Sequence, residues 1–197
     1  AAHNHVMKKF GHNEKKMSEI KSLAGKGAWM MMQRSFKKEI QDENLKKEMT
    51  KEFINFYSKN IDKGSQPIKG IFDFLKWAKS KSISMAVCTN KQERLAIDLL
   101  KKLNMYDYFE YTAGSDTFEF NKPDPRHLTN VVEIIGGDLK KTIMVGDSEV
   151  DAMSAHNANL PFVLVKDGYT EKSEQEIKHN ELISDFVDFE RVVEKYL

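Results

Sequence analysis

Downstream of residue 67, short apolar runs alternate with amphipathic segments of helical length. The apolar runs cover 83–88, 111–113, 142–145 and 162–165, and helices are predicted over 71–77, 95–103, 125–135, 150–158 and 186–196. Strands that alternate with helices of this length typically form a parallel sheet with right-handed crossovers. The pattern therefore predicts an α/β protein with a Rossmann-like parallel sheet core.

The first 66 residues have a different pattern of apolar residues and contain no strand-like run. Apolar residues recur three or four positions apart in four stretches, which predicts four helices. The polar segment 64–67 then has the composition of a linker. We expect a small all-helical domain over residues 1–66 and the α/β core over residues 67–197.

The bulk composition excludes several classes of partner. The 197 residues carry 31 Lys and Arg against 30 Asp and Glu, so neither nucleic acid nor a membrane surface is an expected partner. No apolar run approaches the roughly 20 residues that a membrane-spanning helix needs. Cys88 is the only cysteine, which excludes an intrachain disulfide and fits a reducing compartment. We expect a cytoplasmic protein that is a monomer or a homodimer.

Polar residues follow three of the predicted strands, at the point where each strand ends. They are Thr89-Asn90, Gly114-Ser115-Asp116 and Gly146-Asp147-Ser148. Ligands of parallel α/β sheets bind beyond the carboxyl ends of the strands. The sequence therefore predicts a binding site on this polar rim.

Asp147 and Asp151 stand at the start of a predicted helix, directly after a buried strand. Gly146 lets the chain turn sharply as it leaves the sheet, and Asp151 lies one helical turn beyond Ser148. Both carboxylates can face one point, and hard oxygen ligands of this kind suit Mg²⁺. The alternative is that Asp147 or Ser148 caps the helix, although capping and metal binding are compatible here.

Thr89 and Lys122 are the other two chemically suggestive residues. Thr89 precedes a helix, where a hydroxyl and free backbone N–H groups form a cradle for phosphate, although a helix cap is the simpler explanation of Thr89 taken alone. Lys122 lies in a loop that Pro123 and Pro125 stiffen, which limits the reach of its side chain. The alternative for Lys122 is a solvated surface lysine, whereas the fixed backbone favours a positioned cation.

Three motifs that occur in order on the strand tips together resemble those of the haloacid dehalogenase-type phosphohydrolases. They are Thr89 after an apolar strand (motif II), Lys122-Pro123 (motif III) and Gly146-Asp147-Ser148-x-x-Asp151 (motif IV). Within that superfamily the chain looks most like the phosphoglycolate phosphatases. It shares with them Thr89-Asn90-Lys91, Lys122-Pro-x-Pro125, Asp167-Gly168-Tyr169 and a helical cap that precedes the core. The resemblance covers essentially the whole chain.

The resemblance implies a Mg²⁺-dependent phosphomonoester hydrolase that works through an aspartyl-phosphate. Its substrate would be a small phosphorylated metabolite, with 2-phosphoglycolate favoured. Asp147 would bind Mg²⁺ directly and Asp151 would support the metal site. Thr89 would hydrogen-bond the transferring phosphoryl group, and Lys122 would neutralise charge on the nucleophile and the phosphate. These roles suit phosphoryl transfer, which depends mainly on positioning and on electrostatic neutralisation.

Motif I of that family, Asp-x-Asp-Gly-Thr, does not occur in the 197 residues. In the family it supplies the nucleophilic aspartate and the general acid and lies on the central strand. A sheet that lacked this strand would have a gap between the strands that end at Thr89 and Asp147, with unpaired backbone on both sides. We therefore expect a shortened version of a longer protein, inactive by itself, whose nucleophile lies upstream. The alternatives are an inactive binding or regulatory module and a phosphatase for another small ester, such as a sugar phosphate.

The break at Gly25, Lys26 and Gly27 is the expected substrate-facing loop of the cap. Glycines allow close backbone approach, and the start of the following helix favours an anion. Lys26 is expected to pair with a substrate carboxylate, and the alternative is a simple interhelical turn with an exposed lysine. Asn90 and Ser148 complete the expected substrate contacts.

Several other residues are expected to be structural. The Met run 30–32 is expected to fill the core and the cap interface. His127, next to Arg126, is expected on a helix surface. Cys88 is expected to be a small core residue, because no histidine stands near it in sequence to activate the thiol.

Overall fold

The computed structural model describes residues 1–36 and 41–196. Four helices come first, with the bounds α1 Ala2–Lys9, α2 Met17–Leu23, α3 Ala28–Ser35 and α4 Glu43–Lys59. We call the part of the chain before residue 67 the cap. Its apolar faces meet in a core cluster of Val6, Met7, Met31, Met32, Phe36 and Met49.

The rest of the described chain alternates strands with helices, and the predicted α/β fold is confirmed. The bounds are α5 Ile71–Ser80, β1 Ala86–Cys88, α6 Glu93–Lys102, β2 Tyr111–Ala113, α7 Arg126–Ile134, β3 Met144–Gly146, α8 Glu149–Asn157, β4 Phe162–Val165, β5 Glu181–Ile183 and α9 Glu190–Val193. Within the described residues, no helix combines the length and the apolarity that crossing a bilayer requires.

The strands of the described chain form two parallel sheets instead of one. β1 pairs with β2, placing Val87 opposite Thr112, and a second sheet has the order β3-β4-β5, with Val145 opposite Val163. β4 is buried along its whole length, whereas β1 and β3 are only partly buried. Among the described residues β1 and β3 each pair with one strand, so each has an edge without a partner strand.

β4 contributes side chains to the apolar packing on both faces of the second sheet, because successive side chains of a strand point to opposite faces. Phe162 and Leu164 pack with residues of α7 and α8 on one face. Val163 packs on the other face with Phe189 and Val193. The residues that follow β1 and β3 lie against the cap, since Asn90 Nδ2 is 3.4 Å from Gly25 O and a Cβ on Gly25 would lie 3.9 Å from the Ser148 Cβ.

The C-terminal part differs from the sequence prediction in two ways. Glu181–Ile183 forms β5, an unpredicted strand of three residues that pairs with the buried β4. The helix predicted over 186–196 is wrong in extent, because α9 covers only Glu190–Val193. Phe186 instead packs beside Phe74, and its backbone N–H donates to Lys69 O at 2.8 Å.

Two predictions about side-chain exposure are also wrong. His127 is fully buried: its Nε2 lies 3.0 Å from Gly114 O, and its ring contacts Phe118 edge-on. The helix face that carries His127 packs toward the sheet, while the neighbouring Arg126 points away. In the Met run, Met31 and Met32 are buried as expected, but Met30 is 42% exposed.

Candidate active site

The corner between β3 and α8 depends on a close contact between Gly146 and Asp151. A Cβ on Gly146 would lie 2.5 Å from the Asp151 Cβ, so a larger residue would displace the carboxylate. Ser148 is the N-cap of α8, and its Oγ accepts from Asp151 N at 3.3 Å. The helix start therefore turns Asp151 back toward the end of β3.

The Asp151 carboxylate is surrounded by donors of the protein itself. Oδ2 accepts from Asp147 N at 3.1 Å, from Ser148 N at 3.1 Å and from Ser148 Oγ at 2.7 Å, while Oδ1 accepts from Lys122 Nζ at 2.6 Å. Burial opposes the ionisation of Asp151, but the Lys122 ammonium and these hydrogen bonds outweigh it and keep the pKa below its ordinary value. Asp151 is therefore a buried, ionised carboxylate with both oxygens already bonded.

Asp147 has the opposite character. Burial, followed by repulsion from Asp151, raises its pKa above the ordinary value. Its Oδ2 accepts from Tyr169 N at 3.2 Å. Gly168 makes this contact possible, because a Cβ there would lie 2.1 Å from Asp147 O. A hard cation beside Asp147 would offset both the burial and the repulsion, so the donor chemistry of this corner fits Mg²⁺.

The predicted metal residues thus divide into two kinds. Asp147 has an oxygen that can bind an ion, whereas Asp151 fixes the backbone N–H groups of Asp147 and Ser148 from behind. No group of three or more Asp, Glu, His or Cys converges anywhere in the described part of the chain. This does not disqualify Mg²⁺, which keeps several waters and takes only one or two protein carboxylates.

Lys122 lies in the gap between the two sheets and is only 8% exposed. Its ammonium donates to Cys88 O, at the end of β1, and to Asp151 Oδ1, both at 2.6 Å. The loop that carries it is held by Asn90 Nδ2, which donates to Lys122 O at 2.9 Å. Lys122 is a positioned, buried cation and not a solvated surface lysine.

Thr89 follows β1 directly, and its backbone N–H extends the pairing by donating to Ala113 O at 2.9 Å. Its Oγ accepts from Lys91 N at 3.1 Å, a capping contact at the start of the turn that leads into α6. Burial raises the pKa of the neighbouring Cys88 thiol to about 11. Cys88 is therefore a neutral thiol and not a nucleophile.

The glycine loop of the cap lies on the strand tips of the core. Gly27 has φ +86°, and a Cβ there would lie 3.0 Å from Asn90 O. Asn90 Nδ2 also reaches Gly25 O at 3.4 Å. Lys26 has its ammonium 3.6 Å from Glu149 Oε1. The loop is therefore in backbone contact with the site, while the pairing of Lys26 with a substrate stays a prediction.

The structure adds two residues that had no assigned role, Lys91 and Tyr57. The Lys91 ammonium donates to the Tyr57 hydroxyl and lies 4.2 Å from the centre of that ring. Burial lowers the pKa of Lys91 to about 8 and raises the pKa of Tyr57, with a further rise caused by Tyr169. The sequence signal for Lys91 was its place directly after Thr89 and Asn90, whereas nothing local marks Tyr57.

Solved structures share this fold over almost the whole chain. One is a predicted phosphoglycolate phosphatase from Haemophilus somnus 129PT, with a TM-score of 0.89, 22% identity, and coverage of 97% of this chain and 88% of that one. Another is the β-phosphoglucomutase of Clostridium difficile, with a TM-score of 0.79, 22% identity, and coverage of 99% and 87%. At this level of identity the likeness shows the fold alone.

Sequence relatives are closer. A phosphoglycolate phosphatase of Agrobacterium fabrum is 36% identical over 200 residues, which cover 98% of this chain and 85% of that protein. A phosphoglycolate phosphatase of Caulobacter vibrioides is 33% identical over 172 residues, 86% of this chain and 73% of that one. The profile of the family described as Haloacid dehalogenase-like hydrolase matches residues 1–165. The chain belongs to the haloacid dehalogenase-like hydrolase family.

Proposed function

We propose that this protein provides the site of a Mg²⁺-dependent phosphomonoesterase whose favoured substrate is 2-phosphoglycolate. The observation that carries the proposal is the buried Lys122–Asp151 pair, at 2.6 Å, beside an Asp147 whose pKa burial has raised. A cation and a metal-binding carboxylate at one strand edge are what phosphoryl transfer requires. The phosphoglycolate phosphatases of Agrobacterium fabrum and Caulobacter vibrioides support the choice of substrate.

Asp147 would hold the metal through an oxygen that its bond from Tyr169 leaves free, and Asp151 would support it by fixing the Asp147 backbone. The bound ion would supply positive charge to the phosphoryl oxygens. The buried network of Ser148 and Asp151 gives the corner a fixed geometry, so little reorganisation is needed when charge develops during the reaction.

Lys122 and Thr89 would act on the phosphoryl group from the β1 side. The Lys122 ammonium already has two oxygen partners, which hold it at the strand ends and leave one N–H for an incoming anion. Thr89 Oγ accepts from Lys91 N, so its own proton is available to donate to a phosphoryl oxygen. Together they would neutralise charge on the β1 side of the phosphorus while the metal does so at Asp147.

We infer that the nucleophile is an aspartate on a strand between β1 and β3. Support for this comes from the edges of β1 and β3, which have no partner strand among the described residues. Both strands are only partly buried, whereas β4 is fully buried. The Lys122 ammonium also bridges the two sheets, from Cys88 O to Asp151 Oδ1. A strand in this position would complete one continuous parallel sheet. The carboxyl end of that strand would lie beside Lys122, whose ammonium would pair with the carboxylate of the aspartate.

The decisive experiment compares two polypeptides, residues 1–197 and a version extended upstream by a motif I strand. Phosphate release from 2-phosphoglycolate is measured with Mg²⁺ and with a chelator, and a panel that includes sugar phosphates ranks the substrates. We expect Mg²⁺-dependent turnover from the extended polypeptide alone. Comparable release by both polypeptides would contradict the upstream nucleophile, and no release by either would favour an inactive module.

A further inference from the structure

Lys91 is a partly buried cation to which the described chain offers no acidic partner. Within residues 1–36 and 41–196, the partner of its ammonium is Tyr57, through the hydroxyl and the ring face. Burial lowers the pKa of Lys91 to about 8. The other two lysines near the site are paired differently. Lys122 has Asp151 at 2.6 Å, and Lys26 has Glu149 at 3.6 Å.

Removing an ammonium from water without a counter-ion is unfavourable. The ring face of Tyr57 compensates for part of that loss through a cation–π contact, but it supplies no negative charge. A ligand anion at this position would complete the pairing. The buried lysine therefore indicates a place where the protein is complementary to a negative group that it does not itself contain.

The location of Lys91 relates it to the phosphoryl site. Its backbone N–H donates to Thr89 Oγ at 3.1 Å, and two residues of chain span at most about 7 Å. Tyr57 reaches it from α4 of the cap, and the phenol of Tyr169 is near enough to raise the pKa of Tyr57. Because Tyr169 N donates to Asp147, this group of side chains adjoins the metal corner and lies between core and cap.

The donors fit a carboxylate. The Tyr57 oxygen accepts a hydrogen bond from Lys91, which leaves the phenolic proton free to donate. The ammonium has further N–H groups, so the pair offers two neighbouring donors with one positive charge. A carboxylate has two oxygens and one negative charge, whereas a second phosphate group would bring a larger charge than one lysine neutralises.

We propose that Lys91 and Tyr57 form a subsite for the carboxylate of the substrate's leaving group. This assignment rests on the proposed function, since it presumes an ester whose alcohol carries an acid. It places substrate selection at the junction of α4 with the β1–α6 turn. Lys26, the lysine that the sequence favours for this role, already pairs with Glu149.

The test compares two esters that differ only in the carboxylate: 2-phosphoglycolate and 2-hydroxyethyl phosphate. In the upstream-extended protein, Lys91→Met should lower kcat/KM for 2-phosphoglycolate by about 10- to 100-fold, as expected for a lost hydrogen bond to a charged group. For 2-hydroxyethyl phosphate, which lacks the carboxylate, kcat/KM should change by less than about threefold. Tyr57→Phe should show the same selectivity with a smaller loss, because the ring and its packing remain.

A matched control lies on α6, the helix that follows Lys91. Lys101 also places its ammonium over a tyrosine ring, 4.9 Å from the centre of Tyr106, but at the far end of α6. Lys101→Met should leave the ratio of the two esters unchanged. Equal losses for both esters in Lys91→Met would overturn the proposal, and so would a selective loss that appears in Lys26→Met and not in Lys91→Met.

A binding measurement separates this proposal from the proposed function. The same protein is titrated with glycolate and with neutral ethylene glycol, and binding is followed by NMR. Saturable binding of glycolate that Lys91→Met abolishes and Lys101→Met preserves would support the subsite even if no ester is hydrolysed. The subsite would be overturned if glycolate binding did not depend on Lys91, or if the unmodified protein did not bind glycolate. Phosphatase activity would still be judged separately, by phosphate release.

Discussion

Lys122 and Asp151 form a buried ion pair that connects the two sheets, because the Lys122 ammonium lies 2.6 Å from Asp151 Oδ1 and 2.6 Å from Cys88 O at the end of β1. Each side chain is 8% exposed. Removal of one member leaves the other charge buried and unpaired, which typically costs about 3–5 kcal/mol. The pair is therefore expected to matter for folding as well as for chemistry.

Lys122→Met should lower the free energy of unfolding by about 3–5 kcal/mol, measured by urea denaturation. Its control is Lys195→Met, which breaks an exposed ion pair of nearly the same length, 2.7 Å to Glu181, and should change the free energy of unfolding far less because water screens the pair. Combining Lys122→Met with Asp151→Asn should cost less than the sum of the single changes. Equal effects of Lys122→Met and Lys195→Met would show that burial does not strengthen the Lys122 pair.

Asp147 should couple stability to Mg²⁺. At ten times its dissociation constant, Mg²⁺ should add about 1.4 kcal/mol, or about 3–6 °C in Tm for a chain of this size. Asp147→Asn should abolish that gain and should itself raise the metal-free Tm, because burial and the neighbouring Asp151 disfavour the Asp147 charge. Asp116→Asn, on the same rim after β2, should retain the Mg²⁺ effect, and loss of the effect in that variant would argue against a site at Asp147.

The positions of β1, β3 and β4 and the polar residues at their tips follow from local sequence, since these strands are apolar runs bounded by polar residues. The short β5 is not predictable in this way. Glu181–Ile183 is a strand because β4 offers it a parallel edge, and such pairing is set by tertiary packing and not by propensity. His127 is similar, because only the packing direction of α7 decides that it is buried beside Gly114.

The site is predictable where one motif holds its members together. Ser148 and Asp151 are a capping pair that sequence spacing indicates. The spacing does not indicate that both Asp151 oxygens already accept hydrogen bonds within the protein. Lys91 and Tyr57 are 34 residues apart, and their contact depends on how the cap lies on the core. Sequence therefore identifies the corner between β3 and α8 better than it identifies the contact between cap and core.

Gly27→Ala should impair catalysis more than its backbone strain alone explains. Gly27 and Gly64 have positive φ angles of +86° and +80°, but only at Gly27 would a Cβ meet a neighbour, Asn90 O at 3.0 Å. Each alanine should cost about 1–3 kcal/mol of stability, because both glycines have positive φ angles that a residue with a Cβ adopts only under strain. In the upstream-extended protein, Gly27→Ala should also lower kcat/KM by about 10- to 100-fold, as expected for a small misplacement of the cap loop. Equal kinetics for the Gly27→Ala and Gly64→Ala variants would show that this loop does not close on the site.

Lys91 should leave a distinct signature in the pH dependence of stability. Its pKa in the folded protein is about 8, against an ordinary value of 10.5, so the unfolded chain binds more protons between these values. Stability should therefore rise with pH across this window, by at most about 3 kcal/mol. Above pH 10 the raised pKa of Tyr57 acts in the opposite direction, so the comparison belongs between pH 7 and pH 10.

Lys91→Met removes the unfavourable charge, so it should be more stable than the unmodified protein at pH 7, and the difference should shrink toward pH 10. Urea denaturation between pH 7 and pH 10 measures this difference in the free energy of unfolding. Lys101→Met is the control, and its difference from the unmodified protein should not change with pH in this way. A Lys91→Met variant that is less stable at pH 7 would indicate that the lysine serves the fold. A gain in stability together with a selective loss for 2-phosphoglycolate is the combination expected of a residue that is unfavourable for folding and favourable for binding.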